Sequence, residues 1–267
     1  MPQSLGAMQY KTLLVDEADG VLTITLNRPD VHNAFNDELI GEAIDLFTSI
    51  ATSSLDARIV VLRGSGPTFC AGADVNWMSR MVSYTRDENV RDSSKLAKMF
   101  AVINECPLPV IGRITGAAIG GGVGLVAVCD IAIATPQTKF GLSEVKLGIL
   151  PAVISPYVIA KIGTSHARAL FLTGERFDTE RALRIGLVHW SVEEIDTAID
   201  GIVKQLKSSG PEAVRETKKL IAYVGSRGLI DAIPYTIEAI STRRVSEEGQ
   251  QGMKAFLEKK KAPWGID

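Results

Sequence analysis

Cysteine is scarce in this sequence, and its scarcity excludes several classes of protein. Only Cys70, Cys106 and Cys129 occur among 267 residues. An odd number of widely spaced cysteines does not suit a disulfide-stapled domain, and the lack of any CxxC pair argues against a zinc module. The chain also lacks an apolar run of about 18 residues and a cationic start followed by an apolar stretch, so we expect neither a membrane span nor a secretion signal. These absences predict a cytoplasmic protein.

An excess of charge of either sign is missing as well. With 29 basic and 31 acidic residues the net charge is −2, which gives no electrostatic reason to expect nucleic acid or an anionic membrane as partner. The histidines, His32, His166 and His189, are scattered and form no HExxH motif, so we predict no metal site. No GxSxG elbow surrounds Ser143, which disfavours a serine hydrolase. A small-molecule ligand fits this composition better.

What the sequence does contain is a change of pattern near residue 190. Before it, apolar stretches alternate with glycine turns and predict strands. These stretches are 10–27 (an alternating hairpin), 58–63, 110–114 and 131–134. After it, amphipathic segments predict helices only. We therefore predict an α/β protein with a core region over 1–190, which carries the site, and a helical region over 191–267.

Helix signals vary in strength along the first region. Asn36 or Asp37 can cap a helix whose apolar face includes Leu39 and Phe47. The segment 83–92 is polar, so we expect it to be mobile, and the helical period returns only from Leu96 to Ile103.

The stretch from Gly116 to Asp130 carries the strongest functional signal. Gly120, Gly121 and Gly122 stand directly before an apolar run, as at the start of a buried helix. Glycines let bare backbone approach a ligand, and a helix start presents unpaired N–H groups with partial positive charge. We interpret this arrangement as half of an oxyanion hole.

The residues Cys-Ala-Gly-Ala-Asp at 70–74 provide a second segment of accessible backbone. We predict that the N–H groups of Ala71 and Gly121 together polarise the carbonyl oxygen of an acyl thioester, where each such donor contributes roughly 3–4 kcal/mol. The alternative is that both segments are ordinary glycine turns. Neither is a phosphate loop, since no Gly-Lys-Ser/Thr follows, and the order of the glycines does not fit a dinucleotide fingerprint.

Glu144 is the candidate for proton transfer. It lies in the apolar stretch FGLSEVKLGILP, where desolvation would raise the pKa of its carboxyl and suit it to shuttling a proton. The alternative is a surface glutamate beside Lys146. We expect Asp74 and Asp130 to cap or orient backbone.

Five motifs, in this order, resemble the crotonase, or enoyl-CoA hydratase/isomerase, superfamily. They are NRPDVHNAF (27–35), FCAGADVNWM (69–78), GAAIGGGVGLVAVCDIAIA (116–134), FGLSEVKLGILP (140–151) and LTGERFDTERALRIGLV (172–188). The resemblance implies a spiral of ββα turns and a helical C-terminal region that makes trimers, usually paired into hexamers. It also implies an acyl-coenzyme A thioester as the ligand, so that coenzyme A is part of the substrate and no separate cofactor is needed.

The resemblance also assigns roles to the two glycine-rich segments. Ala71 and Gly121 match the family's two oxyanion-hole N–H donors. Gly72, Ala73 and Asp74 match the segment that runs along the bound thioester.

The carboxylates depart from the pattern of the family's hydratases. Glu144 matches the second of two catalytic glutamates, but Gly124, a predicted substrate-binding position, stands where the first would be. Family isomerases that move a double bond from position 3 to position 2 use a single glutamate at the Glu144 position. One group must therefore do the work of two here, or another residue must help.

The choice among the activities of this superfamily depends on the sequence GLSEVKLGILPAVISPYVIAKIG. It is similar to bacterial methylglutaconyl-CoA hydratases of leucine and isoprenoid breakdown. We therefore predict an enoyl-CoA hydratase of acyl-chain metabolism, with a branched thioester such as methylglutaconyl-CoA as a candidate substrate. The alternatives are a Δ3-Δ2 enoyl-CoA isomerase, another reaction type on the same fold, and a non-catalytic acyl-CoA-binding protein.

Overall fold

The computed structural model describes residues 9–53 and 56–265, which pack into two units. The first unit ends at Ile199, and the second begins at Asp200 and also takes in residues 107–109. The packing boundary therefore lies a few residues beyond the change in sequence pattern. A domain boundary at 190/191 stays a prediction.

Strands of the first unit form two sheets. In chain order they are β1 (Leu13–Ala18), β2 (Val21–Leu26), β3 (Ile59–Gly64), β4 (Val110–Ile114), β5 (Ala117–Ile119), β6 (Ile131–Ala134), β7 (Lys139–Gly141), β8 (Arg176–Asp178) and β9 (Trp190–Ser191). The larger sheet has the order β1-β2-β3-β4-β6-β9, and the smaller has the order β5-β7-β8. In the larger sheet only β1 and β2 pair antiparallel. They form the predicted hairpin, which turns through Asp19 and Gly20, both with positive φ.

The helices belong to both units. In chain order they are α1 (Asp37–Thr52), α2 (Val75–Met81), α3 (Arg86–Asn104), α4 (Gly121–Val128), α5 (Ser155–Thr173), α6 (Thr179–Arg184), α7 (Ile195–Lys207), α8 (Pro211–Gly225), α9 (Leu229–Val245) and α10 (Glu247–Leu257). The Asn36 side chain accepts from the Leu39 N–H at 3.0 Å, which confirms the predicted cap of α1. None of the helices in the described part of the chain has the length and hydropathy that crossing a membrane requires.

The prediction of a mobile segment over 83–92 is wrong, because α3 already begins at Arg86. Thr85 and Glu88 form a capping box, in which each side chain accepts from the other residue's backbone N–H. Such a box satisfies two of the N–H groups that a helix start leaves unpaired. Capping thus begins the helix well before its buried face, with Met99, Phe100 and Ile103, is reached.

The inner strands of the larger sheet supply core residues, and the glycine-rich segments follow their carboxyl ends. Leu22 and Ile24 of β2 and Val60 and Leu62 of β3 are at most 1% exposed, as expected for parallel strands covered on both faces. The carboxyl end of β3 leads to segment 69–74, and the carboxyl end of β4 leads to β5 and α4. Ligands of parallel sheets bind at these carboxyl ends.

Helices α8, α9 and α10 make up most of the second unit. The Glu248 carboxylate accepts from the N–H groups of Glu212 and Ala213 at the start of α8 and also pairs with Arg243 at 2.7 Å. A carboxylate at a helix start satisfies unpaired amides and complements the helix dipole. Several large apolar side chains of this unit are at least 60% exposed, namely Ile221, Leu229, Ile230, Ile237 and Phe256.

Candidate active site

A short stretch of backbone pairing joins the two glycine-rich segments. The Cys70 N–H donates to the Ala117 carbonyl at 3.1 Å, and the Ile119 N–H donates to the Cys70 carbonyl at 3.0 Å. A Cβ placed on Gly72 would lie 2.6 Å from the Ile119 carbonyl oxygen and 3.6 Å from the Gly121 nitrogen. The structure therefore brings segment 70–74 against the start of α4, although Gly72 and Gly121 lie 49 positions apart in the sequence.

The glycines at this junction are required by close contacts. A Cβ on Gly121 would lie 2.1 Å from Cζ of Phe35, and a Cβ on Gly122 would lie 2.3 Å from the Cys70 carbonyl oxygen. Real Cβ atoms do not approach neighbours so closely, because packing in protein interiors leaves no such overlap. Gly72 has in addition a φ of 89°, which side chains disfavour.

The structure contradicts the prediction that Ala71 is a donor to the ligand. Its N–H donates to the His32 carbonyl at 2.9 Å. The reason is that residues 32–35 run alongside segment 71–74, so that the Phe35 N–H donates to the Gly72 carbonyl (2.8 Å) and the Asp74 N–H donates to the Phe35 carbonyl (3.1 Å). An amide already bonded within the protein cannot polarise a ligand without losing that bond.

The free amide of this segment is that of Ala73. The Gly72 carbonyl and the Ala73 N–H belong to one planar trans peptide group and point in opposite directions. Because the Gly72 carbonyl points at Phe35, the Ala73 N–H points away from residues 32–35. Within the described residues neither the Ala73 N–H nor the Gly121 N–H, at the first position of α4, has an acceptor. Ala73 and Gly121 therefore replace Ala71 and Gly121 as the candidate pair of donors.

Glu144 lies beside this junction. It opens a single 3-10 turn (Glu144–Leu147) just after β7, and the Gly120 N–H donates to the Gly141 carbonyl at 2.7 Å. A Cβ on Gly120 would lie 3.2 Å from Oε1 of Glu144, so the carboxylate reaches the residue before Gly121. The prediction thus places the carboxyl correctly with respect to the glycine loop.

The surroundings of Glu144 favour its protonated form. Its Oε2 atom is buried and has no hydrogen-bond partner in the described part of the chain. Burial raises the pKa of this carboxyl above its ordinary value, and the backbone hydrogen bond within the residue offsets only part of the rise. A desolvated carboxyl with a raised pKa returns an accepted proton less readily to water, which suits it to accepting a proton and passing it on to a substrate. Lys146 is exposed, and the reading of Glu144 as an ordinary surface glutamate does not fit.

Gly124 is packed rather than open. A Cβ there would lie 2.3 Å from Cγ2 of Ile154 and 2.9 Å from Cε1 of Phe100. The volume into which a side chain would extend is thus filled by two apolar groups, and no second carboxylate fits at this position. Contact between Gly124 and a substrate stays a prediction.

Asp74 caps a helix, as expected from the sequence. Its Oδ1 accepts from the N–H groups of Asn76 (2.7 Å) and Trp77 (3.3 Å) at the start of α2. Its Oδ2 accepts from Nη2 of Arg28 at 2.7 Å. Burial alone would raise the pKa of this carboxyl, but the bonds from Arg28 and the two amides outweigh burial and lower the pKa. Asp130 similarly accepts from the Val110 N–H at 2.7 Å.

Sequence reasoning missed Arg28 and Phe35. Arg28 reaches Asp74, 46 residues away, and Phe35 covers Gly121. Both belong to the motif NRPDVHNAF, but nothing in that motif alone reveals which distant backbone it meets. In the described residues no group of three His, Cys, Asp or Glu side chains is close enough to hold a metal ion.

The chain belongs to the enoyl-CoA hydratase/isomerase family. A sequence model of the family described as "Enoyl-CoA hydratase/isomerase" matches residues 16–266. The α/β fold, with its helical C-terminal region, is the crotonase-like fold that the sequence motifs predict.

Solved and curated relatives cover nearly the whole chain. The crystal structure of an enoyl-CoA hydratase from Shewanella pealeana superposes with a TM-score of 0.92 at 37% identity, covering 96% of this chain and 97% of that one. A crotonyl-CoA hydratase of Syntrophomonas wolfei is 31% identical over 96% of this chain and 98% of its own length. A mitochondrial Delta(3,5)-Delta(2,4)-dienoyl-CoA isomerase of Mus musculus is 29% identical over 97% of this chain and 83% of its own.

Proposed function

We propose that the protein is an enoyl-CoA hydratase, a lyase that adds water across the 2,3 double bond of an enoyl-CoA thioester. The observation that carries the proposal is the junction of two amides without acceptors among the described residues, those of Ala73 and Gly121, with the half-buried carboxylate of Glu144. Relatives named enoyl-CoA hydratase and crotonyl-CoA hydratase support it.

The amides act on the thioester carbonyl. When the oxygen of water bonds to C3, the π electrons move to the thioester and negative charge develops on its oxygen. Preorganised N–H donors aimed at that oxygen stabilise the developing charge, and removing one such donor typically costs about 10²–10³ in kcat. Ala73 and Gly121 serve this purpose here.

Glu144 handles both protons in this mechanism. Its carboxylate accepts a proton from the attacking water as the C3–O bond forms, and the resulting carboxylic acid returns a proton to C2, which completes the addition. The raised pKa of the carboxyl suits a group that must be charged before the attack and protonated after it. No second acid is required, which agrees with the filled volume around Gly124.

A direct assay tests the proposal. Purified protein incubated with crotonyl-CoA should remove the conjugated-enoyl absorbance and form 3-hydroxybutyryl-CoA, detected by mass spectrometry as a gain of one water. An unchanged absorbance across a panel of short, long and branched 2-enoyl-CoA thioesters would contradict it.

A second candidate is a Δ3-Δ2 enoyl-CoA isomerase, favoured by the filled surroundings of Gly124, which leave no room for a second glutamate at that position. A lone base can move a proton between carbons without placing a water molecule. A 3-enoyl-CoA would then gain conjugated absorbance with no change in mass, whereas the hydratase predicts loss of absorbance from 2-enoyl thioesters. A third outcome, binding of acyl-CoA with no turnover of either substrate, would indicate a binding protein.

We extend the proposal to a branched acyl chain such as that of methylglutaconyl-CoA. Its distal carboxylate needs a cation, and the candidates are Arg80, Arg86 and Arg91. Arg80 is paired with Asp37, Arg86 lies beside Asp87, and Arg91 is exposed and lies near Glu88, so the test covers all three. A kcat/KM for methylglutaconyl-CoA that exceeds that for crotonyl-CoA, and that glutamine at one of these three positions lowers selectively, would support it.

We also propose a cytoplasmic homotrimer or homohexamer that uses no separate cofactor. The exposed apolar side chains of the second unit, such as Leu229, Ile237 and Phe256, provide surface for contacts between copies. Light scattering on the purified protein measures the number of subunits directly.

A further inference from the structure

We propose that Arg28 is a positioning residue that makes the Ala73 N–H a stronger hydrogen-bond donor. It acts through two peptide groups in series, the second of which contains the Ala73 N–H. The inference rests on the proposed function, because it concerns the donor that polarises the thioester. It concerns a residue that touches neither substrate nor the reacting atoms.

The first link of this chain is the guanidinium group. Nη1 of Arg28 donates to the Ala34 carbonyl, and Nη2 donates to Oδ2 of Asp74 at 2.7 Å. The Arg28 side chain is 19% exposed and that of Asp74 is 4% exposed, so both bonds lie largely out of water. Hydrogen bonds from an ionised donor are about twice as strong as neutral ones.

The next links are two peptide groups in series. The Ala34 carbonyl and the Phe35 N–H belong to one peptide group, and the Phe35 N–H donates to the Gly72 carbonyl at 2.8 Å. The Gly72 carbonyl and the Ala73 N–H belong to the next. Since the two ends of a trans peptide point in opposite directions, one line of bonds runs from Arg28 through both groups to the Ala73 N–H.

Such a series has a directional electrical effect. A cation on the first carbonyl draws electron density toward itself, which makes the Phe35 N–H a better donor, and that bond in turn polarises the Gly72–Ala73 peptide. Condensed-phase estimates give roughly 10–30% strengthening per bond. Because Asp74 binds Nη2 of the guanidinium, Nη1 is held in place on the Ala34 carbonyl.

The two donor amides thus receive support of different origin. Gly121 begins α4, whose aligned peptide dipoles favour negative charge at that end. Ala73 precedes α2, but its N–H lies outside that helix, and the Asp74 side chain occupies the helix start. The Arg28 guanidinium thus polarises the Ala73 N–H, as the dipole of α4 polarises the Gly121 N–H.

The experiment uses Arg28→Gln and Arg28→Lys in the full chain, with Arg113→Gln as the matched control. Arg113, on β4, is 22% exposed and makes two bonds to Asp196, at 2.7 and 2.9 Å, and neither bond reaches residues 32–35 or 70–74. Each variant is measured for melting temperature, for kcat and KM on crotonyl-CoA, and for the infrared carbonyl stretch of bound [1-¹³C]butyryl-CoA, which carries no double bond to hydrate.

In the wild type the bound carbonyl stretch should lie at lower wavenumber than in water. Arg28→Gln should return part of that shift and lower kcat by about 2–10-fold, because only the 10–30% strengthening of one donor is lost rather than the whole donor, with little change in KM. Arg28→Lys keeps the charge but reaches only one of the two acceptors, so it should fall in between, and it decides the matter if the Gln variant does not fold. Arg113→Gln should lose stability only.

A wild-type carbonyl shift and kcat in Arg28→Gln, or equal losses in Arg28→Gln and Arg113→Gln, would overturn the inference and leave the proposed function standing. If bound butyryl-CoA shows no shift even in the wild type, the donor pair itself is wrong, and both proposals fall.

Discussion

The two sides of the candidate site are held in different ways. On the amide side, Ala73 and Gly121 are fixed by main-chain bonds to residues 32–35 and to β5 and by glycines that admit no Cβ. On the carboxylate side, Glu144 lies in a single 3-10 turn, and its buried Oε2 has no hydrogen-bond partner among the described residues. The donors thus depend on the fold as a whole, whereas the proton chemistry depends on one side chain. Substitutions on the carboxylate side should therefore separate activity from stability, and those on the amide side should not.

The largest effect is expected from Glu144→Gln. Amide and carboxyl have nearly the same shape, so binding of butyryl-CoA should persist while kcat on crotonyl-CoA falls on the order of 10²–10⁴-fold, the usual contribution of a general acid–base. Steady-state kinetics and calorimetric titration measure the two quantities. The control is Glu180→Gln, at an exposed ion pair with Arg184. A kcat close to that of the wild type would remove Glu144 from the mechanism.

Gly121→Ala tests the amide side and should affect activity and stability together. The added methyl group would meet the Phe35 ring, so the start of α4 must shift and kcat should fall by about 10²–10³-fold, as for loss of one donor. Gly41→Ala is the matched control, since Gly41 lies inside α1 with nothing within 4 Å of a new Cβ. That variant should gain about 0.4–1 kcal/mol of stability. If both variants keep wild-type kcat, the Gly121 amide is not a donor.

A third pair of changes probes the filled volume at Gly124. Gly124→Ala should destabilise by about 1–3 kcal/mol because it overpacks against Ile154, and Ile154→Ala should cost about 2–5 kcal/mol through the cavity that it leaves. The double variant should lose less than the sum, because each change relieves the other. Urea unfolding measures all three free energies. Strict additivity would mean that the two side chains do not compete for one space.

The smallest effect concerns pH. A carboxyl whose pKa is raised in the folded protein binds its proton more tightly there than in the unfolded chain. That contribution to stability is fully present below the unfolded pKa of about 4.3 and is lost as the pH rises through the folded pKa. The amide introduced by Glu144→Gln does not titrate, so the melting temperature of this variant relative to the wild type should increase from acidic to neutral pH. A difference that stays constant with pH would show that Glu144 is not desolvated.

Features set by neighbours in the sequence were predictable. The Asp19-Gly20 hairpin, the Asn36 cap and the three apolar strands at 58–63, 110–114 and 131–134 all depend on local signals. The carboxyl of Glu144 was predictable in part, because its apolar flanks indicate desolvation. Strands β5, β7 and β8 have three residues each, which is too short for an alternating pattern to appear.

Features set by distant contacts were not predictable. Whether Ala71 or Ala73 has the free amide depends on how residues 32–35 lie along segment 71–74, and the sequence does not give that register. Likewise the filled volume at Gly124 depends on Ile154 and Phe100, which come from two other helices or their ends. The motifs therefore located the site with Gly121 and Glu144, whereas the choice of Ala73 over Ala71 and the filled volume at Gly124 required the tertiary structure.

The central claim is that the Ala73 and Gly121 amides bind one thioester oxygen beside Glu144. A crystal structure of the Glu144→Gln variant with crotonyl-CoA tests it most directly. We expect the thioester oxygen to lie within about 3.2 Å of both nitrogens, with C2 and C3 facing the residue 144 side chain. An oxygen bonded to neither amide, or a thioester held away from residue 144, would contradict it.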